Sequence, residues 1–190
     1  VLRPQAESVV DGITAPLVTA MQSVPTATNL PFIAADGSNF RAALIQARRV
    51  LNARKVPLQD RFVAVGSSIE AAALSDVNLQ KVNESGSDGV LREAIIGRLF
   101  GFTIIADPNL SDNYAVAYHR DAFALVTRPS KQPQGAAFSA TIAQDGFALR
   151  WLQHYNPLQL EDQSVVDAFV GAKVLDPNRA VAFSTVSASI

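Results

Sequence analysis

The spacing of apolar residues changes along the chain, and this change constrains the fold more than any other feature. Up to about residue 75 most apolar side chains recur at helical spacing, whereas later segments alternate apolar and polar residues between turn signals. The two patterns belong to different elements, because side chains repeat every 3.6 residues on a helix and every second residue on a strand. Helices early and antiparallel hairpins late predict an α+β fold.

The helical pattern predicts three helices, at residues 4–23, 39–55 and about 68–75, with residues 1–3 as the end of a strand. Ser38 or Asn39 is expected to cap the second helix, and Ser67 with Glu70 has the spacing of a capping box for the third. One face of the second helix is apolar, and we expect it to pack on strands at 61–65 and 95–105. That face consists of Phe40, Ala43, Leu44, Ala47, Val50 and Leu51.

Strand patterns follow, separated by turn residues. Residues 95–105 are expected to form one strand with a bulge or bend at Gly97 and Gly101. The other predicted strands are 61–65, 114–118, 123–127, a hairpin of 137–143 with 147–155 around Asp145-Gly146, and a pair of 165–175 with 180–186 around Asp176-Pro177-Asn178.

Composition excludes several classes of function. The 190 residues include no Cys and two His, which excludes disulfides, thiol catalysis and a His-rich metal site. The net charge of −1 provides no field that would hold nucleic acid, so no specific nucleic-acid site is expected. Residues 13–35 lack charge, but their three prolines and many polar side chains argue against a membrane span.

Two groups of residues resemble parts of catalytic sites. His119-Arg120-Asp121 matches the catalytic-loop tripeptide of protein kinases, but the glycine-rich loop and the Asp-Phe-Gly motif are missing. We interpret it as a polar turn in which His119 or Asp121 bonds the local backbone. Ser67 follows Gly66 at a strand-to-helix turn, without the closing glycine of a nucleophile elbow. We do not expect the side chains of Ser67, His119 and His154 to come together in one site.

Other charged and glycine-rich segments also have structural interpretations. The glycines at 97 and 101 lack the Lys-Ser/Thr of a phosphate loop. Glu161, Asp162 and Asp167 are expected to be exposed, with nothing to raise a carboxyl pKa. The basic stretch of Arg41, Arg48, Arg49, Arg54 and Lys55 is expected to be a solvated helix face with ion pairs to a neighbouring subunit. No catalytic, cofactor-binding or metal-binding residue is therefore assigned.

Three segments in order resemble tailed-bacteriophage major capsid proteins. The first motif is Val56-Pro57…Asp60-Arg61-Phe62-Val63, the second motif runs from Leu91 to Phe102 and contains Gly97-Arg98-Leu99-Phe100-Gly101-Phe102, and the third motif runs from Tyr118 to Leu125. The resemblance covers about residues 1–186 and is strongest between 56 and 128. It implies a Hong Kong 97-like fold with a spine helix and a compact axial domain.

The resemblance also implies how the chain is divided and used. Residues 1–35 and 136–176 would form the peripheral domain, and residues 36–135 and 177–190 the axial domain. The protein would be a non-enzymatic coat subunit that assembles with itself into hexamers and pentamers of a DNA-filled shell. Scaffolding and portal proteins would be further partners, no membrane would be involved, and packaged DNA would be close without being specifically bound. Its location would be the virion, and the host cytoplasm during assembly.

Two rival functions stay open at this point: a small hydrolase-like enzyme that uses Ser67 or His119, and a phage tail or adhesin binding module. The chain begins with Val1, and nothing in it resembles the N-terminal arm and extended loop of the capsid family. We therefore expect residues 1–190 alone to remain monomers or small oligomers, whereas a product with upstream residues assembles.

Overall fold

The computed structural model describes residues 2–25, 39–75, 97–135, 137–144 and 147–184. Helices and strands occur in the α+β order that the sequence predicts. The helices are α1 (Leu2–Gln22), α2 (Phe40–Ala53) and α3 (Ser67–Ser75), and the strands are β1 (Arg61–Val65), β2 (Arg98–Leu99), β3 (Phe102–Ala106), β4 (Tyr114–His119), β5 (Phe123–Arg128), β6 (Phe138–Gln144), β7 (Phe147–Asn156), β8 (Glu161–Asp167), β9 (Phe169–Val174) and β10 (Ala180–Ser184).

The chain divides into two compact units. The first unit consists of residues 1–19 and 124–173, and the second unit of residues 20–123 and 174–190. The second unit holds a five-stranded sheet in the order β10-β4-β1-β3-β2, in which β1 and β3 are parallel. The first unit holds the three-stranded antiparallel sheet β6-β7-β8, and β5 pairs with β9.

The core of the second unit lies between α2, α3 and the five-stranded sheet. Phe40, Leu44 and Leu51 of α2 are fully buried, together with Val63 of β1 and Phe102 of β3. This confirms the predicted apolar face and its packing on these strands. The helix ends at Ala53, two residues before the predicted end, and Asn39 occupies the N-cap position without a capping bond from its side chain.

Helix α1 begins earlier than predicted. Leu2 and Arg3 are helical, so their assignment to a strand end is wrong. Pro4 is compatible with this start because the first-turn N–H groups of a helix have no intrahelical partner. The helix also continues through Pro16.

The predicted capping box of α3 is wrong. Ser67 is the first helical residue, and the Glu70 amide donates to the carbonyl of Gly66 at 2.9 Å, so Gly66 holds the N-cap position. A Cβ at Gly66 would lie 2.2 Å from the Ser111 carbonyl oxygen. Glycine is required there because another part of the chain passes too close for a side chain.

The segment predicted as one bent strand at 95–105 is a hairpin over its described residues. Arg98 pairs with Thr103 and Leu99 with Phe102, so Phe100 and Gly101 form a two-residue turn. Both have positive φ, 49° and 82°, as a type I′ turn requires. Residues 95 and 96 lie outside the described residues.

Strand pairing near the C-terminus also differs from the prediction. The predicted hairpin of 137–143 with 147–155 is confirmed, with strands at 138–144 and 147–156, although its turn at 145–146 lies outside the described residues. The predicted pair of 165–175 with 180–186 is wrong. Residues 161–167 pair with β7, β9 pairs with β5, and β10 pairs with β4. Turn residues at 176–178 are present, but they connect strands of different sheets.

Candidate functional site

The three sequence motifs meet at one end of the five-stranded sheet. Strand β1 contains the end of the first motif and lies between β3, which begins at the last residue of the second motif, and β4, whose last two residues begin the third. Phe62 is in register with Thr103 on one side and with Tyr118 on the other. We call this region the motif junction: the residues from 56 to 62, 97 to 103 and 118 to 123.

Arg61 explains the first motif. Its side chain is 3% exposed, and it donates from Nε to the Pro57 carbonyl and from Nη2 to the Val56 carbonyl, both at 2.7 Å. Burial, and the positive charge of Arg48, lower the pKa of Arg61. Its Nη1 atom is buried without a hydrogen bond. Arg61 therefore fastens the loop that leads from α2 into β1.

The glycines of the second motif are needed for the backbone conformation and for close packing. Gly97 has φ of 66°, and its carbonyl accepts a hydrogen bond from the Ile104 amide at 2.9 Å. Arg48 of α2 donates to the Phe100 carbonyl, and a Cβ at Gly101 would lie 3.0 Å from Arg48 Nη1. The turn is thus docked on a helix arginine, and it does not have the form of a phosphate-binding loop.

His119 and Asp121 of the third motif make the local turn that the sequence predicts. The Asp121 amide donates to His119 Nδ1 at 3.2 Å, and residues 120–122 form a 3-10 turn. The Asp121 carboxylate receives Arg179 Nη1 at 3.1 Å, and the Ala122 carbonyl accepts from the Leu175 amide at 2.8 Å. The tripeptide therefore ties the end of β4 to the chain that enters β10.

The three candidate catalytic residues occupy separate places. His119 pairs with Arg61 at the start of β1, whereas Ser67 follows the end of that strand. Four strand steps separate the two ends by about 13 Å. His154 belongs to β7 in the three-stranded sheet, where it pairs with Gln163.

Several side chains of the basic stretch bind other parts of the same chain. The prediction of a wholly solvated helix face is therefore wrong. Arg54 Nη1 donates to the carbonyls of Asn178 and Ala180 at 3.2 and 3.0 Å. Arg41 lies 5.8 Å from the centre of the Phe100 ring, as in a cation–π contact, and Arg48 binds the Phe100 carbonyl. Arg49 is exposed and bonds Gln46 on its own helix.

An ion pair in the first unit was missed at the sequence level. Arg150 of β7 donates through Nε and Nη2 to the Asp167 carboxylate of β8, and Ser130 donates to the same carboxylate at 3.0 Å. Arg150 is 11% exposed and Asp167 32%, so Asp167 is not the exposed residue expected. The two residues are in register on neighbouring strands, which the mistaken pairing of residues 165–175 concealed.

A groove of about 280 Å³ lies beside β7 and β8. Its lining includes His154, whose Nδ1 atom is buried without a partner, and Ser164, which accepts a hydrogen bond from Trp151 Nε1 at 2.8 Å. Within the described ranges, no three His, Asp or Glu side chains are grouped as a metal site would need. No described helix is long and apolar enough to cross a membrane.

Comparison with known proteins identifies the protein family to which the chain belongs. Residues 1–180 match the phage capsid protein family, and the chain belongs to that family. No protein in the curated set is significantly similar in sequence.

Solved phage structures share the fold at low sequence identity. A structure from Mycobacterium phage Che8 has a TM-score of 0.70 at 23% identity, covering 96% of this chain and 61% of that one. The capsid of cyanophage P-SCSP1u has a TM-score of 0.59 at 13% identity, covering 93% and 61%. The mature capsid of bacteriophage PhiM1 has a TM-score of 0.57 at 15% identity, covering 98% and 63%. The chain thus spans about three fifths of the length of these proteins and has their Hong Kong 97-like fold.

Proposed function

We propose that this chain is part of a major capsid subunit that assembles with itself into hexamers and pentamers of an icosahedral shell around phage DNA. The observation that carries the proposal is the match of residues 1–180 to the phage capsid protein family, together with the shared fold. The shell would be located in the virion after assembly in the host cytoplasm. Scaffolding and portal proteins are proposed as further partners.

The motif junction supports a structural role. Arg61 binds two loop carbonyls, Arg48 binds a turn carbonyl, and His119 accepts a bond from its own turn. Side chains engaged in this way hold loops in fixed positions. A shell subunit needs this property, because each copy must present the same contacts around every symmetry axis.

The division into domains is part of the proposal. Residues 1–35 and 136–176 are assigned to the peripheral domain, and residues 36–135 and 177–190 to the axial domain. The compact units support it, because the first unit shares with the proposed peripheral domain the start of α1 and the sheet β6-β7-β8.

We propose that the protein is not an enzyme. A hydrolase that used Ser67 and His119 would need both side chains within hydrogen-bond distance. His119 pairs with the first residue of β1, whereas Ser67 follows the last residue of that strand. His119 is also buried and accepts a hydrogen bond from its own turn. The tail or adhesin module is the weaker rival, because the family match is to capsid proteins.

Electron microscopy of the full-length protein expressed alone tests the proposal. Closed shells or rings of five and six subunits are expected. A protein that stays monomeric at high concentration, in the presence and absence of co-expressed phage proteins, would contradict the coat assignment. Tubes or spikes would favour the tail module.

A further inference from the structure

The groove beside β7 and β8 is lined mainly by polar side chains that two paired strands hold in place. Gln153 is in register with Ser164, and Tyr155 is in register with Asp162. Residues opposite each other on paired strands share a face, and so do alternate residues along one strand. All four side chains therefore lie together on one face of the sheet, and all four line the groove.

His154 adds a hydrogen-bonding atom that no other part of the chain uses. Its side chain lines the groove, and its Nδ1 atom is buried without a hydrogen bond. Nearly all buried polar atoms in proteins have a partner, because leaving one unpaired costs free energy. A hydroxyl group bound against the imidazole ring would provide that partner.

The chemistry of the lining favours a neutral ligand. No Lys or Arg lines the groove, so a phosphate or carboxylate group would meet no cation there. Asp162 is the one carboxylate of the lining, and the amides of Gln153 and Gln163 are neutral groups that both donate and accept hydrogen bonds. Neighbouring hydroxyl groups on a ligand also donate and accept, so they match this lining.

An aromatic ring completes the groove. Tyr155 is 54% exposed and combines an apolar ring face with a polar hydroxyl. The pyranose ring of a sugar has the same dual character, because its C–H groups point to the ring faces and its hydroxyl groups lie at the rim. The groove measures about 280 Å³, slightly less than the roughly 300–1,000 Å³ of pockets for drug-sized ligands. Its size therefore suits a single sugar ring.

We propose that this groove is a binding site for a neutral sugar. Tyr155 would pack against one face of a pyranose ring, Gln153 and Asp162 would bind its hydroxyl groups, and His154 Nδ1 would bind one further hydroxyl. This ligand-binding function goes beyond the proposed coat function and does not depend on it.

Binding is measured on the full-length protein with four probes: glucose, galactose, mannose and N-acetylglucosamine. Saturation-transfer NMR should detect at least one of them, with a dissociation constant on the order of 1–10 mM, as for a ligand of about a dozen non-hydrogen atoms. The fluorescence of Trp151 should change over the same concentrations, because it is the only tryptophan and its Nε1 donates to Ser164 in the groove. Glycerol, which has hydroxyl groups but no ring, should bind at least tenfold more weakly.

Two matched pairs of variants locate the site. Tyr155→Ala should weaken sugar binding at least tenfold, whereas Phe147→Ala, which removes another exposed ring on the same strand outside the groove lining, should change it less than twofold. Asp162→Ala should likewise weaken binding at least tenfold, and Glu161→Ala, at the adjacent exposed carboxylate, less than twofold. Thermal unfolding within about 2 °C of the parent shows that a variant is folded. If one pair loses the fold, the other pair decides.

Three results would overturn the proposal. If none of the four sugars binds, the groove is not a sugar site. If a sugar binds but both members of each pair weaken it equally, the site lies elsewhere. If glycerol binds as tightly as the sugars, the groove does not recognise a ring. None of these results changes the coat assignment, because assembly is not measured in this experiment.

Discussion

The two compact units hold their chains together in different ways. Among the described residues, the buried hydrophobic side chains of the first unit are Ile13, Val18 and Leu152, whereas those of the second unit form a continuous core around Phe40 and Phe102. The first unit exposes most of the large hydrophobic side chains, including Phe147, Leu158 and Phe169.

This difference suggests that the two units contribute differently to folding and to assembly. A core that excludes water stabilises the second unit without help, because apolar burial is the main favourable contribution to folding. The first unit depends more on strand pairing and on the ion pair of Arg150 and Asp167, and it keeps apolar surface available. For a coat subunit, the first unit is then the part expected to gain most from neighbouring copies.

The largest effect is expected from truncating the core of the second unit. Leu44→Ala or Leu51→Ala should lower the free energy of unfolding by about 2–5 kcal/mol, because each fully buried side chain leaves a cavity. Phe147→Ala in the first unit removes a larger side chain but should cost less than about 1 kcal/mol, since that ring is half exposed. Urea unfolding measures both. Equal losses at Leu44 and Phe147 would remove the distinction between the units.

Adding one methyl group should have opposite effects in the two units. Gly66→Ala in the second unit places Cβ 2.2 Å from the Ser111 carbonyl oxygen and should cost about 1–3 kcal/mol. Gly12→Ala in the first unit meets nothing within 4 Å on an exposed helix position and should stabilise by about 0.5–1 kcal/mol. Thermal unfolding shows the sign. A neutral Gly66→Ala would mean that the loop at Ser111 moves freely.

Breaking the ion pair should show how far the first unit depends on it. Arg150→Met should cost about 1–3 kcal/mol, less than for a fully buried pair because the Asp167 carboxylate is a third exposed. Arg49→Met removes an exposed arginine of the second unit and should change stability by less than about 0.5 kcal/mol. A double-mutant cycle with Asp167→Asn isolates the pair, and a coupling near zero would show that strand pairing alone sustains this sheet.

The smallest effect concerns Tyr114, which joins β4 to the end of α1 within the second unit. Its hydroxyl is shared between the carbonyls of Met21 and Val24, at 2.9 and 2.8 Å, and Tyr114→Phe should cost about 1 kcal/mol. Tyr155→Phe, on an exposed ring of the first unit, should cost less than about 0.5 kcal/mol.

Alkaline pH gives a second measurement on Tyr114. Burial raises the pKa of Tyr114 from 10.0 to about 12, so between these values the unfolded chain binds fewer protons than the folded one. Stability should therefore fall as pH rises from 10 to 12, and fall less in Tyr114→Phe. Burial also raises the pKa of Tyr118, so this residue would account for the loss of stability that remains in the variant. An identical alkaline loss in parent and variant would contradict the raised pKa of Tyr114.

Local patterns in the sequence determined the helices, most strand positions and the α+β order. The apolar face of α2 was predicted correctly because helical spacing places Phe40, Leu44 and Leu51 on one side of any helix. The turn at His119 was predicted because a short polar side chain can bond its own backbone two residues away. The sequence alone, which has no cysteine and two histidines, likewise excludes thiol chemistry and a His-rich metal site.

Only the tertiary structure decided which strands pair and which side chains meet. Residues 165–175 look like one strand beside 180–186, yet they divide between two sheets, because pairing depends on partners far along the chain. Gly66 is required by a loop 45 residues later, and Asp167 is sheltered by an arginine on a neighbouring strand. Hydrophobic spacing has no information on such distant contacts, because it records which way a side chain points along its own element and not what it will touch.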